Sequence, residues 1–384
     1  MKNSSLLLYP SAQALGASIA PIVIALAGIV SISLGAPKEV ATLPIFLQNA
    51  GMALSTLIAA YSIKTNGRKK AYLIAISVAL IGASLQVYSL VNPSFLLFCI
   101  GTTLLGFNAA HIQTYRFAVL EGQPSHEHGK AISRVMLGGL AAAVIGPQIV
   151  VFSGKLHDAQ FVVSFLGIAT LLVLQFLVLT GLPSQTGVPV AQQNKSDVSI
   201  GVLLKRPGYL TAVMSGVVSY ALMAFIMTAA PIAMVSHGHH VNDAALGIQW
   251  HVLAMFAPSF VTGKLIERFG RATITAIGLI IIAISGALAL VGLDLMHFWG
   301  TLILLGIGWN FGFTGATAMV GASVNDNERS VAQGLNDFMI FSTTAFGSLM
   351  AGFMFNSIGW QMLNLVVFPC VALVLAMMLL HRGK

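Results

Sequence analysis

The chain has 384 residues, of which 57% are hydrophobic and only 8% carry a charged side chain. This composition excludes an ordinary water-soluble domain, in which about a quarter of the residues are charged. Cysteine occurs only twice, which excludes a disulfide-rich secreted scaffold. The formal net charge of +8 would suit nucleic-acid binding only if the basic residues formed a continuous surface.

Apolar stretches follow one another along the whole chain and are separated by short polar loops. A helix of about 20 apolar residues crosses a hydrocarbon core of about 30 Å and satisfies its own backbone hydrogen bonds. The sequence therefore predicts an all-α membrane protein with twelve transmembrane helices. In chain order, we place the spans at residues 13–35, 41–62, 71–90, 95–118, 130–153, 161–182, 207–235, 244–264, 272–291, 297–321, 330–354 and 360–380.

The distribution of basic residues predicts the orientation of these spans. Outside the spans, all lysines and arginines except Lys38 and Lys155 lie in one set of alternate loops or in the two termini. Because cytoplasmic loops retain basic residues, we expect both termini on the cytoplasmic side of a cell membrane of the bacterial inner membrane type. The positive charge is then a consequence of topology, and we expect no nucleic-acid partner.

The longest polar stretch separates the first six spans from the last six. We interpret residues 1–182 as an N-terminal bundle, 183–206 as a cytoplasmic linker and 207–384 as a C-terminal bundle. The halves also share short sequences in the same order. For example, Gly106-Phe107-Asn108 in the fourth span corresponds to Gly308-Trp309-Asn310 in the tenth. Such internal similarity predicts two pseudo-symmetric six-helix bundles, with a substrate site near the membrane midplane between the repeats.

The loops after the second and eighth spans resemble those of the major facilitator superfamily of secondary transporters. Members of that family carry a pattern of the form G-x-L-a-D-R-x-G-R-K after the second helix and a weaker copy after the eighth. The second copy in this chain matches in type at Gly263, Leu265, Glu267, Arg268, Gly270 and Arg271. The first copy retains Gly67, Arg68 and Lys69, and Lys64 stands in the place of the acid.

This resemblance implies that the loop residues, together with Arg134 at the start of the fifth span, control access on the cytoplasmic side. Glu267 would face the basic residues that open the fifth span. Lys64 would face the start of the eleventh span, where the acidic residues include Asp326 and Glu328.

Polar residues of the fourth and tenth spans are candidates for the substrate cavity. Asn108, His111 and Tyr115 are spaced by three and four residues, so they share one side of a helix. The tenth span repeats this arrangement with Asn310, Thr314 and Thr317. In the family that the chain resembles, the first, fourth, seventh and tenth helices line the central cavity. The alternative for both sets is hydrogen bonding between helices.

Four residues are candidates for proton coupling or charge pairing. Arg116 and Asp337 are the charged residues that we expect to lie inside a span, where a charge usually has a partner or faces water. His111 and His251 are the other two, because histidine ordinarily titrates near neutral pH. Structural pairing, or hydrogen bonding in the core, is the alternative for each of them.

The chain carries no predicted catalytic or cofactor site. His237, His239 and His240 lie near Asp243 in an outer loop, and histidine is a common metal ligand. A short loop fixes no coordination geometry, so we interpret this group as solvated and expect no metal. The sequence lacks a GxxxxGK[ST] phosphate-binding motif, so we expect neither a cofactor nor direct use of ATP.

We expect a monomeric secondary transporter that moves a small solute by alternating access and is not an enzyme. Proton-coupled export of a small organic or amphipathic compound is the first interpretation. It depends on Gly138, Gly139, Gly146 and Pro147, which resemble part of the glycine-proline motif of drug:proton antiporters. The fourth-helix arginine of such antiporters would fall at Thr102. Proton-linked uptake of a metabolite is the alternative, and an intramembrane enzyme is the alternative from another class.

Overall fold

The computed structural model describes residues 2–120, 128–154, 160–183, 200–325 and 328–381, and the structural statements below concern those residues. This part of the chain consists of α-helices, short turns and one 3-10 turn, Lys38–Val40. Nine of its helices are long and apolar enough to cross a membrane, and a bent pair makes a tenth. The predicted all-α membrane fold is confirmed.

The helices are grouped in two compact units. The first unit is Met1–Val190 with His240–Gln249. Its helices are α1 (Lys2–Ala17), α2 (Ile19–Ser33), α3 (Leu43–Val91), α4 (Phe95–Ile112), α5 (Tyr115–Ala118), α6 (His128–Ser153) and α7 (Gln160–Thr180).

The second unit is Ala191–His239 with Trp250–Lys384. Its helices are α8 (Ile200–Leu204), α9 (Pro207–Ser236), the second half of α10 (Val241–Phe256), α11 (Ser259–Phe269), α12 (Arg271–Val291), α13 (Leu295–Ala322), α14 (Arg329–Asn364) and α15 (Val367–His381). Helix α8 lies in the segment that the sequence assigned to the linker. It is helical because its apolar residues reach the core, where Leu203 is fully buried. Residues 184–199 of that linker lie outside the described residues.

Two of the long helices are interrupted at a glycine. Helix α3 is interrupted at Gly67, where φ is 75° and ψ is 161°. Helix α14 is interrupted at Gly359, where φ is 76° and ψ is 175°. An α-helix cannot continue through these angles, so each glycine ends one helix and begins another. Helix α15, together with the short end of α14 after Gly359, forms the twelfth span. With α3 counted as two spans, and α10 and α11 as one bent span, the helices account for the twelve predicted spans.

The eighth span differs from its prediction as one continuous helix. It bends by 41° between α10 and α11. The bend falls at Pro258, which caps α11 and has no N–H to continue the helical hydrogen bonding.

In each unit, a glycine lets two helices approach closely, but these two glycines are not the pair that the sequence comparison matched. Gly106 of α4 lies against the backbone of α3 at Gln48 O and Met52 N. In the second unit, Gly306 of α13 lies against the backbone of α10 at His251 O and Met255 N. The packing counterpart of Gly106 is therefore Gly306. The sequence correspondence of Gly106 with Gly308 was wrong by two residues.

The loop glycines of the two units share one backbone conformation. Gly270, between α11 and α12, has φ 84° and ψ 147°, close to the angles of Gly67. These angles are essentially restricted to glycine, because a Cβ atom would clash with the backbone. The two copies of the loop motif therefore form the same turn.

We expect Gly270→Ala to lower the stability of the protein by about 1–3 kcal/mol, the cost of a non-glycine residue at such angles. No heavy atom lies within 4 Å of the position of an added Cβ, so the whole effect would come from the backbone. The matched control is Gly263→Ala in α11, which also has open space around its Cβ position. There, alanine should be neutral or stabilising, since it is the better helix former. Thermal unfolding of the purified variants measures both, and equal stability of Gly270→Ala and the natural protein would contradict the expectation.

Candidate functional site

A group of buried polar side chains lies inside the first unit. Asn108, His111 and Tyr115 are all buried, and Gln175 of α7 connects two of them. Asn108 Nδ2 donates to Gln175 Oε1 at 3.0 Å, and Gln175 Nε2 donates to Tyr115 OH at 3.1 Å. Gly16 of α1 makes room for this amide, because a Cβ atom there would collide with it. The sequence analysis missed Gln175, although a single glutamine in an apolar span was a usable signal.

Aromatic rings enclose the same group. The ring of Tyr72 lies edge-on to Tyr115, with centroids 4.9 Å apart, and 6.3 Å from the ring of His111. Tyr9 lies 5.7 Å from Tyr115. The hydroxyl of Tyr72 accepts a hydrogen bond from Arg68 Nη1 at 3.3 Å. The predicted loop residue Arg68 is thus bonded to the polar interior of the unit.

Two buried atoms of this group have no hydrogen-bond partner in the described part of the chain. They are Asn108 Oδ1 and His111 Nε2, although His111 Nδ1 lies 3.0 Å from Phe107 O. A buried polar atom without a partner costs about 1–3 kcal/mol and is uncommon in native proteins. The described residues thus leave part of the hydrogen-bonding capacity of Asn108 and His111 unused.

Asn310 in the second unit has the opposite character, because all of its polar atoms are bonded. Its Nδ2 donates to Met255 O and to Ser259 Oγ, both at 2.7 Å. Its Oδ1 accepts from Thr262 Oγ1 at 2.6 Å. These bonds span the break between α10 and α11, so Asn310 connects α13 to both arms of the bent span.

The other tenth-span candidates do not gather around Asn310. Thr314 is half-buried, whereas Thr317 is exposed and donates to Phe313 O within its own helix. His251 is buried on α10 and has Nδ1 at 2.7 Å from Leu302 O. Its Nε2 is buried without a partner among the described residues. His251 therefore resembles His111 in having one bonded and one open ring nitrogen.

The charged candidates Arg116 and Asp337 are both exposed. The Arg116 guanidinium lies 4.9 Å from the centroid of the Phe117 ring. Asp337 Oδ1 accepts a hydrogen bond from Asn336 Nδ2 at 3.1 Å.

Most of the predicted loop residues are exposed, namely Lys64, Arg134, Gly263, Glu267 and Arg271. Arg268 lies over the Phe269 ring at 5.2 Å. Lys69 Nζ donates to Thr180 O at 2.5 Å. A cation suits this place because the carbonyl groups at the end of a helix carry partial negative charge.

Glu328 belongs to an ion pair within the second unit. Its carboxylate accepts two hydrogen bonds from the Arg206 guanidinium, at 2.7 and 2.8 Å, and one from Asn325 N at 3.2 Å. These bonds lower the pKa of Glu328 from 4.5 to about 2. Glu328 therefore has a bidentate partner within its own unit, and the predicted approach of Lys64 to this acidic region stays a prediction. Asp326, the other predicted acid, lies outside the described residues.

The histidines of the outer loop make separate contacts. His239 Nε2 lies 2.8 Å from Leu293 O, and His237 Nδ1 lies 2.7 Å from Ala233 O. His240 N donates to Asp243 Oδ2 at 3.1 Å. Within the described ranges, no three histidine, cysteine or acidic side chains are placed to hold a metal ion.

The lowered pKa of Glu328 predicts acid sensitivity. A depressed carboxylate pKa contributes stability above the unfolded-state pKa, and this contribution is lost as the pH falls toward the folded-state value. The natural protein should therefore lose thermal stability progressively below pH 4.5. Glu328→Gln should be less stable near neutral pH and should lose less on acidification.

The measurement is the apparent unfolding temperature of purified protein from neutral pH down to about pH 3. Glu267→Gln is the control, since it removes an exposed carboxylate and should follow the natural protein. Identical pH profiles for Glu328→Gln and the natural protein would show that the ion pair contributes nothing.

The apolar spans, the repeated turns and the buried polar group define a membrane transporter of the secondary class. The sequence profile of the Major Facilitator Superfamily matches residues 8–248 and 213–384, and the chain belongs to this family. The predicted resemblance is confirmed. The known relatives are transporters, so the expectation that the chain is not an enzyme is confirmed as well.

Two relatives show how far the sequence similarity extends. The riboflavin transporter RfnT of Brucella anthropi is 50% identical over 96% of this chain and 94% of its own length. The uncharacterized MFS-type transporter YddS of Bacillus subtilis is 28% identical over 87% of this chain and 82% of its own length.

Solved structures of transporters have the same fold. A bacterial homologue of the human lysosomal transporter Spinster has a TM-score of 0.74, with 12% identity over 99% of this chain and 96% of its own. The nucleoside transporter NupG has a TM-score of 0.72, with 15% identity over 98% of this chain and 100% of its own. At such identities the likeness concerns the fold alone.

Proposed function

We propose that this secondary transporter carries riboflavin across the cell membrane. The observation that carries the proposal is the 50% identity to the riboflavin transporter of Brucella anthropi. The similarity covers 96% of the chain, so it extends over both units.

Riboflavin also agrees with the chemistry expected from the sequence. It is a small amphipathic compound with a flat three-ring system and a chain of hydroxyl groups. Sites for such molecules are mostly apolar and contain a few polar groups that fix orientation. The open atoms of Asn108, His111 and His251 are polar groups of this kind in apolar surroundings.

Proton coupling belongs to the same proposal. His111 and His251 are the candidates inside the spans, since histidine ordinarily changes its charge near neutral pH. Asp337 is the acidic candidate. The position of the antiporter arginine is occupied by a neutral pair, in which Gln86 Nε2 donates to Thr102 Oγ1 at 2.8 Å. A neutral pair at this position does not distinguish proton-coupled export from proton-linked uptake, so one experiment tests both.

The further parts of the proposal concern the setting of the protein. We propose that it acts as a monomer in a membrane of the bacterial inner membrane type, with both termini in the cytoplasm. The asymmetric distribution of lysine and arginine among the loops supports the orientation of the termini.

Purified protein in liposomes tests the transport of riboflavin directly. We expect riboflavin, followed by its fluorescence, to cross vesicles that contain the protein faster than protein-free vesicles. An imposed pH gradient should change the rate, and a proton ionophore should abolish that change. Faster movement toward the side of higher pH indicates proton-linked uptake, whereas faster movement toward the acidic side indicates antiport. Absence of riboflavin movement with folded protein would contradict the proposal.

The open atoms of the first unit provide a second test. The double variant Asn108→Ala/His111→Ala should slow riboflavin transport by about tenfold or more, the factor that corresponds to about 1.4 kcal/mol of lost interaction. It should retain normal membrane insertion, because only one side-chain hydrogen bond between helices, from Asn108 to Gln175, is lost.

The matched control is Ser153→Ala/Ser164→Ala, which removes a buried hydroxyl pair 2.6 Å apart in the same unit. This variant should lose a similar amount of stability, about 1–3 kcal/mol at most, and should transport normally. Equal transport by both double variants would assign Asn108 and His111 to helix packing alone.

A further inference from the structure

Five aromatic side chains form one connected group in the second unit, which we call the ring cluster. Its members are Tyr220 of α9, Phe256 of α10, Trp309 and Phe313 of α13, and Phe341 of α14. Trp309 and Phe313 are spaced by four residues and therefore lie on one face of α13. Their rings are nearly parallel, at 13°, with centroids 5.2 Å apart.

Tyr220 lies edge-on to the other rings of the cluster. Its centroid is 5.4 Å from Trp309, 5.2 Å from Phe313 and 6.1 Å from Phe341, at interplanar angles between 77° and 79°. Edge-to-face and offset-stacked pairs are the favourable arrangements of aromatic rings. The cluster is therefore a stable surface whose ring positions are fixed by one another.

The chain covers this surface incompletely. Tyr220, Phe313 and Phe341 pack against the buried core of the unit, which includes Val217 and Ile340. These three rings are nonetheless only half-buried. The cluster thus presents aromatic surface that the described chain leaves partly uncovered.

A polar atom distinguishes this surface from one that merely faces lipid. Trp309 is 92% buried, yet its Nε1–H has no hydrogen-bond partner in the described chain. A buried indole N–H normally finds an acceptor. The hydroxyl of Ser219, next to Tyr220, is likewise buried and unpartnered among the described residues, and it lies against Gly312. Lipid tails offer no acceptor, so these groups indicate a ligand with polar atoms in an aromatic frame.

We infer that the ring cluster binds the flat fused-ring part of the transported molecule, with the Trp309 Nε1–H donating to a carbonyl oxygen of that ring system. The inference rests on the proposed function, because the isoalloxazine rings of riboflavin combine a flat aromatic face with two carbonyl acceptors. The stacked rings of Trp309 and Phe313 leave no room for a third ring between them. The substrate ring therefore stacks on the open side of the cluster.

Riboflavin fluorescence reports this contact in the full-length purified protein, because close contact with tyrosine and tryptophan rings quenches flavin emission. Trp309→Leu removes both the ring and the donor, and should weaken binding by about tenfold or more with reduced quenching. Trp309→Phe retains a ring and removes only the donor, so a smaller loss, about threefold to tenfold, is expected. Trp360→Phe is the control, since Trp360 is also buried in a ring contact, 5.0 Å from Phe298, and should bind riboflavin normally.

Lumiflavin, which has the isoalloxazine rings without the hydroxylated chain, separates the two parts of the ligand. It should bind the natural protein and show the same loss in Trp309→Leu, whereas ribitol should not compete. If Trp309→Leu does not fold, the riboflavin affinities of Phe313→Leu and Trp309→Phe test the inference instead. Natural protein that binds riboflavin, with unchanged affinity in the folded variants, would overturn the ring-cluster inference and leave the proposed function intact. Natural protein that neither binds nor transports riboflavin would refute the proposed function itself.

Discussion

The structure depends on one constraint, which is that a lipid interior provides no partner for an N–H or C=O group. Every span must therefore satisfy its own backbone, and the chain can leave a helix only where another group or a special backbone angle allows it. Gly67, Gly270 and Gly359 mark three such exits, all with positive φ. The same constraint acts on side chains. A buried polar atom must be bonded within the protein, or it remains available to whatever molecule the protein binds.

The constraint also explains which parts of the structure could be predicted from the sequence. Hydropathy locates the spans because a helix in lipid must be long and apolar, and the polar loop at Gly67 was recognised for the same reason. The bend at Pro258 was missed because it lies within an uninterrupted apolar run. Hydrogen-bond partners were also beyond prediction when they are distant in sequence, as for Arg206 and Glu328, since tertiary packing alone brings them together.

The sequence predicted which residues belong to the candidate site better than it predicted how those residues are arranged. Helical spacing placed Asn108, His111 and Tyr115 on one side of a helix, and all three are buried. Spacing could not reveal that Gln175 bridges Asn108 and Tyr115, because the relative rotation of α4 and α7 is set by packing. The ring cluster was missed because its members come from four helices, and a tryptophan or phenylalanine in an apolar span carries no signal of its own.

The two asparagines that the sequence comparison equated illustrate how the repeats have diverged. Packing pairs Gly106 with Gly306, so Asn108 and Asn310 differ by two helical positions, a rotation of about 200°. Asn310 consequently faces the break of the bent span, and both its amide nitrogen and its amide oxygen are hydrogen-bonded there. Asn108 meets Gln175 instead and keeps its Oδ1 open among the described residues. A change of register has thus left the same residue type fully bonded in one unit and with an open amide oxygen in the other.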